Sequence, residues 1–435
     1  MITPLKQQKL LITKKILINM KKFNLLFNAF AILAFTFIFA ACEKPSTEQE
    51  QEQEQPGQTD QPTQPEDSEK PDENTTILKS IIAEDGATFA GISKNGKWAV
   101  GGTFDNADGA GFSVAASVWN LETGERKILA KAEDGMSEAN CVNDEGTIIG
   151  GAYLNQPAYY QDGKWNTLQL PEGYTMGTVI DMAVVGGDVI FVGRVQDDAT
   201  AQTITAAKWI NGVYERATDK KAHRKDHMGE TANVNSCFGI SEDGNVIMGA
   251  LEYNAFPNTT PFIVTPDSAF IIETANEQNK DESYIWEPRM SANGKYITGK
   301  YRHVIYLEGE NFASTDIYQP CLYNIETKQF ELFEKVGYEW GGWAVDNNGI
   351  VYANSPVNSH PARQGYIITN GNVVELEQML LEKGVTQAEI DAASAPAFEQ
   401  LDNKLGTIIA VSRDGKTIIG CAGECNTYNW VVTLQ

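Results

Sequence analysis

The chain has 435 residues and carries 34 Lys and Arg against 58 Asp and Glu, a formal net charge of −24. Phosphate groups repel such an acidic chain, which argues against a general nucleic-acid binder. About 42% of the residues are apolar, with 38 Gly and 16 Pro. This composition favours a folded, turn-rich protein over a long disordered chain or a multi-span membrane protein.

The N-terminus has the features of an export signal. Two lysines precede an apolar run over residues 23–41, which ends in small residues and is short for a membrane span. The sequence Phe39-Ala40-Ala41-Cys42 resembles the lipobox of bacterial lipoproteins. This resemblance implies that a signal peptide, residues 1–41, is removed and that acyl chains attach Cys42 to a membrane. An uncleaved anchor helix with a chance Cys is the alternative.

Residues 42–76 have the composition of a solvated tether. After Cys42 the segment is mostly Glu, Gln, Pro, Thr and Asp, so it cannot bury enough apolar surface to fold. Glu43 and the Glu-Gln alternation of residues 48–55 are similar to the acidic export signal of Bacteroidetes surface lipoproteins. The resemblance implies an outer-membrane lipoprotein exposed on the cell surface. A periplasm-facing anchor is the alternative.

Beyond the tether, one turn signal recurs between β-rich stretches. Asn-Gly and Asp-Gly tolerate the positive φ of tight hairpin turns. Seven units carry such a turn. One of the turns, at Gly186-Gly187, is degenerate, and the other six are Asn95-Gly96, Glu145-Gly146, Asp243-Gly244, Asn293-Gly294, Asn348-Gly349 and Asp414-Gly415. Four of them have the form Ser-x-Asp/Asn-Gly, with Ser93, Ser241, Ser291 and Ser412. This repetition indicates turn hydrogen bonding rather than a nucleophile, because a catalytic residue is needed once.

The strands around these turns predict an all-β fold. Each turn precedes a β-branched strand, and a third and usually a fourth strand follow. The seventh unit has no fourth strand, whereas residues 77–82 form a strand without a partner before the first unit. We therefore predict a seven-bladed β-propeller of four-stranded antiparallel blades over residues 77–435, closed by the N-terminal strand. A pair of β-sandwiches or a β-solenoid would leave that strand unexplained.

The repeated turns and strands resemble the extracellular HAF-type repeat and, more distantly, the blades of TolB-like propellers. The resemblance is strongest over residues 408–420 and implies the fold without an agreed activity. Residues 377–404 interrupt the pattern with apolar residues at helical spacing, and Thr386 is placed to cap a second helix. We favour packing of this helical insertion on the propeller over a role as a lid.

Loop lengths predict which end of the propeller binds. The short turns share one end, so the long loops converge at the other, and function concentrates on such loops. Aromatic rings there can stack on sugars or anchor a protein. The expected rim residues are Trp340, Trp343, Trp286, Tyr301, Tyr253 and Tyr153, whereas Trp119, Trp209 and Tyr323 are expected in the core between blades.

Signals for catalysis or for a metal are weak, and we expect no cofactor and no metal site. His223 and His227 have i, i+4 spacing but lie in a lysine-rich stretch that repels cations. Residues 105–109 resemble the start of a calcium loop without its later acidic ligand, which is typical of an ordinary turn. Glu252, Glu287 and Asp346 are the carboxylates that an enzyme could use.

The six cysteines are too few for a disulfide scaffold. Apart from Cys42, most of them are expected as buried small apolar residues. Cys421 and Cys425 could close a local disulfide in an oxidising compartment.

The function predicted from these features is that of an envelope-anchored binding module for a glycan or a protein, acting through the long-loop end. The alternatives are a propeller enzyme that acts on polysaccharide, a lyase or hydrolase, and a scaffold in an outer-membrane complex. A fold alone does not choose among these classes.

Overall fold

The computed structural model divides the chain into Met1–Thr75 and Thr76–Gln435, and the description below concerns the second unit. The residues it describes are 76–83, 86–105, 113–129, 136–196, 204–218, 233–253, 256–272, 284–303, 317–333, 341–357, 360–394, 404–422 and 428–434. In these ranges no helix is long and apolar enough to cross a membrane.

Seven four-stranded antiparallel sheets form the blades of a β-propeller, as predicted. Blades 1 to 3, each given from the innermost strand outward, are β2 (Thr88–Ile92), β3 (Trp98–Asp105), β4 (Ser113–Asn120) and β5 (Arg126–Ile128); β6 (Ser137–Val142), β7 (Ile149–Tyr153), β8 (Gln156–Gln161) and β9 (Lys164–Thr167); and β10 (Met176–Val185), β11 (Asp188–Gln196), β12 (Ile204–Ile210) and β13 (Val213–Arg216).

Blades 4 to 6 follow the same order. They are β14 (Asn233–Ile240), β15 (Ile247–Tyr253), β16 (Phe256–Val264) and β17 (Ala269–Ile271); β18 (Tyr284–Met290), β19 (Tyr296–His303), β20 (Ile317–Asn324) and β21 (Phe330–Leu332); and β22 (Gly341–Val345), β23 (Val351–Val357), β24 (His360–Thr369) and β25 (Asn372–Glu375).

The seventh blade joins the two ends of the repeat. Its strands are β26 (Thr407–Val411), β27 (Thr417–Cys421), β28 (Tyr428–Thr433) and, outermost, β1 (Ile77–Ile82). β1 runs antiparallel to β28 over its whole length, from Ile77 opposite Thr433 to Ile82 opposite Tyr428. This pairing confirms the predicted closure by the N-terminal strand, which leaves no open blade in the ring.

The Ser-x-Asp/Asn-Gly sequences form the tight turns between the first and second strands. Ser93 Oγ donates to Asn95 Oδ1 over 2.7 Å and accepts from the backbone N–H of Trp98 over 3.0 Å. Gly96 has φ +75°, a conformation that Gly adopts without strain. Ser241, Ser291 and Ser412 repeat the arrangement, which confirms that these serines hold turns.

The core lies between adjacent blades. Trp119, Trp209 and Tyr323 are buried there as predicted, and Trp430 joins them from β28. The indole N–H of Trp209 donates to Gln169 O over 2.7 Å. Three of the cysteines, Cys141, Cys237 and Cys321, are buried thiols that pack as small apolar residues. Burial raises the pKa of Cys237 to about 12.

Two short helices, α1 (Leu376–Glu382) and α2 (Gln387–Ala393), lie between β25 and β26. Thr386 caps α2 as predicted, accepting from the N–H of Glu389 while the Glu389 carboxylate accepts from the N–H of Thr386. The apolar faces of both helices join one cluster with residues of the last two blades, among them Leu380, Ile390 and Trp430. The insertion therefore packs against the propeller. Cys425 lies outside the described residues, so its disulfide with Cys421 stays a prediction.

Candidate functional site

The strand order places functional residues at two ends of the propeller. In each blade the turns between strands one and two, and between strands three and four, lie at one end, which we call the turn end. The connections between strands two and three, and from blade to blade, lie at the other, the loop end. Most of the loop-end connections fall outside the described residues.

The structure brings two of the expected rim tryptophans together. Trp286 in β18 and Trp343 in β22 are each the third residue of an innermost strand that starts at the loop end. Both are partly buried. The ammonium group of Lys300, in β19, lies 5.8 Å from the Trp286 ring centroid and 5.1 Å from that of Trp343. A cation at such distances from two aromatic rings is attracted to both.

Charged side chains complete this tryptophan cluster, which consists of Trp286, Glu287, Arg289, Lys300 and Trp343. Glu287 Oε2 pairs with Lys300 Nζ at 2.7 Å. The guanidinium carbon of Arg289 lies 5.8 Å from the Trp343 ring centroid, and burial lowers the pKa of this guanidinium from its usual value. The cluster therefore presents flat apolar rings beside two cations and one carboxylate.

The backbone of the cluster is irregular and closely packed. Every innermost strand has a bulge, and Glu287 lies in that of β18 with φ +50° although it is not Gly. Such non-Gly conformations concentrate at functional sites. At Gly342 a Cβ atom would lie 1.8 Å from Thr298 Oγ1, so Gly is required for β22 to approach β19 and place Trp343.

Tyr301 and Tyr153, two of the other expected rim residues, do not join the cluster. The rim position expected for Tyr301 is wrong, because its side chain is fully buried against Phe330 at a ring distance of 5.4 Å. Tyr153 is in blade 2, where its ring stacks on Trp165. Tyr253 ends β15 without a described side chain, and Trp340 lies outside the described residues.

The candidate catalytic carboxylates have separate partners. Glu287 pairs with Lys300, whereas Asp346 accepts hydrogen bonds from the N–H groups of Asn348 and Ile350 in its own turn, each over 2.9 Å. Burial raises the pKa of Asp346. The side chain of Glu252 is outside the description. Sequence reasoning missed Glu138. Burial also raises the pKa of this carboxyl group, although the positive charge of Arg194 opposes the shift.

The weak metal signals fall outside the structural description. His223 and His227, and all but the first of residues 105–109, lie beyond the described ranges. Within those ranges, no three His, Cys, Asp or Glu side chains are grouped so that they could hold a metal ion.

The turn end carries a second arrangement that sequence reasoning missed. In six of the repeated turns, the residue before the Asp, Asn or Glu contacts a neighbouring blade. Arg413 N donates to Lys94 O over 2.8 Å, Asn347 N to Arg413 O over 2.9 Å, and Glu242 N to Ala292 O over 2.7 Å. Side chains supply other links, such as Asn95 N to Asp144 Oδ1 over 2.8 Å. These bonds, with that of Asn293 N to Asn347 Oδ1, link the turns of blades 4, 5, 6, 7, 1 and 2 in succession around the axis.

Charged side chains also reach across the axis at the turn end. Arg413, from blade 7, pairs with Asp144 of blade 2 and with Glu242 of blade 4, the latter at 2.5 Å. Lys94, from blade 1, donates to Met182 O of blade 3 and Ile240 O of blade 4, both over 2.9 Å. Two cations thus connect five of the seven blades.

These residues line a cavity of about 380 Å³ at the turn end, which we call the axial cavity. Its polar wall contains Lys94, Asn143, Asp144, Glu145, Glu242 and Arg413, and part of its apolar wall is Val142, Met182 and Val184. The volume lies within the usual range for small-molecule sites. The sequence carries a signal for this cavity, since Lys94, Asp144, Glu242 and Arg413 all occupy the variable position of the repeated turn.

Comparisons with known proteins add no function. No family model and no curated protein matches the chain. Among solved structures, an oligogalacturonate lyase from Vibrio parahaemolyticus is 10% identical with a TM-score of 0.49, over 82% of this chain and 97% of that one. Hydrazine synthase of Kuenenia stuttgartiensis is 13% identical with a TM-score of 0.45, over 81% and 96%. TolB from Acinetobacter baumannii is 10% identical with a TM-score of 0.38, over 66% and 65%. The fold assignment rests on the sheet topology above.

The ion pairs of Arg413 predict a salt-sensitive contribution to stability. Arg413, Asp144 and Glu242 are 34%, 31% and 35% exposed, so each pair should contribute about 0.2–1 kcal/mol. We expect Arg413→Ala to lower the free energy of unfolding by about 1 kcal/mol in low salt and by less in about 1 M NaCl, where charges are screened. Urea denaturation at both salt concentrations measures this.

The control is Lys295→Ala, which removes the more exposed Lys295–Glu326 pair of blade 5. We expect a change below about 0.5 kcal/mol for this variant. Equal losses in the two variants, or a loss for Arg413→Ala that salt does not reduce, would contradict the electrostatic role of Arg413.

Proposed function

We propose that this protein is a lipoprotein of the cell envelope whose propeller binds glycans at the loop end. The observation that carries the proposal is the placement of Lys300 between Trp286 and Trp343. The rings offer flat apolar surfaces, and the charged groups beside them offer hydrogen bonds, which is the combination that a sugar ring requires.

The charges of the tryptophan cluster favour an acidic sugar. Lys300 and Arg289 supply two cations, and Glu287 neutralises one of them. A carboxylate on a bound sugar could pair with these cations in place of Glu287 or beside it. The chain as a whole is acidic, so this local positive charge stands out against the surface that a polyanion would otherwise meet.

The anchoring part of the proposal rests on the sequence. Cys42 follows an apolar leader that ends in two Ala, and the acidic tether separates Cys42 from β1 by more than 30 residues. A segment of this length and composition would be long enough to hold the propeller away from a membrane. We propose attachment to the outer membrane through lipidated Cys42, with the propeller at the cell surface.

Glycan arrays test the binding function. We expect purified protein to bind uronate-containing glycans, and we expect Trp343→Ala and Trp286→Ala each to weaken binding at least about tenfold, because each removes a stacking surface. Trp98→Ala is the matched control, since this partly buried Trp lies beside the blade 1 turn, at the turn end. Thermal unfolding shows whether each variant is folded.

Two results would contradict glycan binding at this cluster. One is binding that survives both tryptophan changes with the affinity of the parent protein. The other is no glycan bound by the parent protein, together with capture of a protein partner that depends on Trp343.

Labelling with a palmitate analogue tests the anchor. We expect the protein expressed in a Bacteroidetes host to incorporate the label and to sediment with outer membranes, whereas Cys42→Ser should lose both properties because the thiol is the acylation site. Cys425→Ser, which leaves the lipobox-like sequence intact, should retain both. Label on the Cys42→Ser protein, or sedimentation unchanged by that substitution, would contradict anchoring through Cys42.

A further inference from the structure

The charged side chains of the axial cavity start from different blades and meet in ion pairs across the axis. The two cations, Lys94 and Arg413, come from the adjacent blades 1 and 7. The carboxylates Asp144 and Glu242 come from blades 2 and 4. The corresponding turn residues of blades 5 and 6, Ala292 and Asn347, are neutral. The cavity therefore holds ion pairs whose cations come from one side of the ring and whose carboxylates come from other blades.

Arg413 and Lys94 can exchange their present partners for those of a ligand. Arg413 holds both of its carboxylates while one third of its side chain is exposed, so water and solutes reach the pairs. An ammonium group has three donors, and two of those of Lys94 are used by Met182 O and Ile240 O. Because exposed ion pairs are individually weak, a ligand that replaces one pair with an equivalent pair loses little.

We propose that the axial cavity is a binding site for a small molecule that carries a carboxylate at one end and a cationic group at the other, such as a basic amino acid. The ligand carboxylate would pair with Arg413 and Lys94, and the ligand cation would pair with Asp144 and Glu242. A molecule of this kind replaces the internal ion pairs one for one. Val142 and Met182 line the cavity, where their apolar side chains would contact the stem that joins the two charged groups of the ligand.

Other ligand classes fit the cavity less well. An anion without a cation meets three carboxylates, Asp144, Glu145 and Glu242, and a cation without an anion meets Lys94 and Arg413. A neutral sugar would have to separate Arg413 from Asp144 and Glu242 without supplying a charge of its own. The separated ions would then have poorer partners than they have now. The dipolar ligand is the class that supplies a new partner both to the cations and to the carboxylates of these pairs.

Isothermal titration calorimetry with three probes tests the proposal. L-arginine has both charges, agmatine lacks its carboxylate, and succinate lacks a cation. We expect the purified protein to bind L-arginine at millimolar concentration and to bind agmatine and succinate at least about tenfold more weakly. Arg413→Gln should weaken L-arginine binding at least about tenfold, because the carboxylate loses its bidentate partner.

A second variant and a control keep the result independent of folding. Glu242→Gln acts on the opposite wall and should also weaken L-arginine binding, whereas Lys295→Gln, in the exposed pair of blade 5, should leave it unchanged. The proposal is overturned if the parent protein binds none of the probes, if agmatine or succinate binds as tightly as L-arginine, or if both cavity variants bind L-arginine normally. The tryptophan cluster is not involved, so loss of glycan binding in Trp343→Ala does not bear on this test.

Discussion

The pairing of β1 with β28 is the contact on which the rest of the structure depends. It joins residues 77–82 to residues 428–433, and so closes seven repeats into one ring. An open array would leave the faces of its two terminal blades exposed, whereas a ring covers each blade with two neighbours. Closure also sets the distance between opposite blades. Arg413 can reach Asp144 and Glu242 only because blade 7 is held beside blade 1.

The ring gives the molecule two chemically different ends. At the turn end the connections are short and bonded to one another, so the charged residues they carry are fixed around the axis. At the loop end the innermost strands carry the partly exposed tryptophan rings and their cations. A rigid scaffold that presents side chains at both ends of one axis can bind two unrelated ligands without a change of fold.

Local chemistry made much of the fold predictable from the sequence. Tight turns need particular residues, so the Ser-x-Asp/Asn-Gly sequences, the cap at Thr386 and the unpaired N-terminal strand all pointed to the correct elements. Whether a residue belongs to a site depends instead on which face of its sheet the side chain occupies. Tyr301 pairs with the buried Ile285, so it lies on the opposite face of the sheet from Trp286, which pairs with Lys300 and is partly exposed. The partners of Arg413 lie 171 and 269 positions away in the chain, beyond any local pattern.

Amide hydrogen exchange of β1 tests the central claim that this strand closes the ring. If β1 belongs to the cooperative fold, its hydrogen-bonded amides should exchange as slowly as those of β27 and β28, through global unfolding. Mass spectrometry of peptides that cover residues 77–82 and 417–433 gives both rates from one sample. Exchange of the β1 amides at the rate of an unstructured reference peptide, with β27 still protected, would show that the ring does not depend on its N-terminal strand.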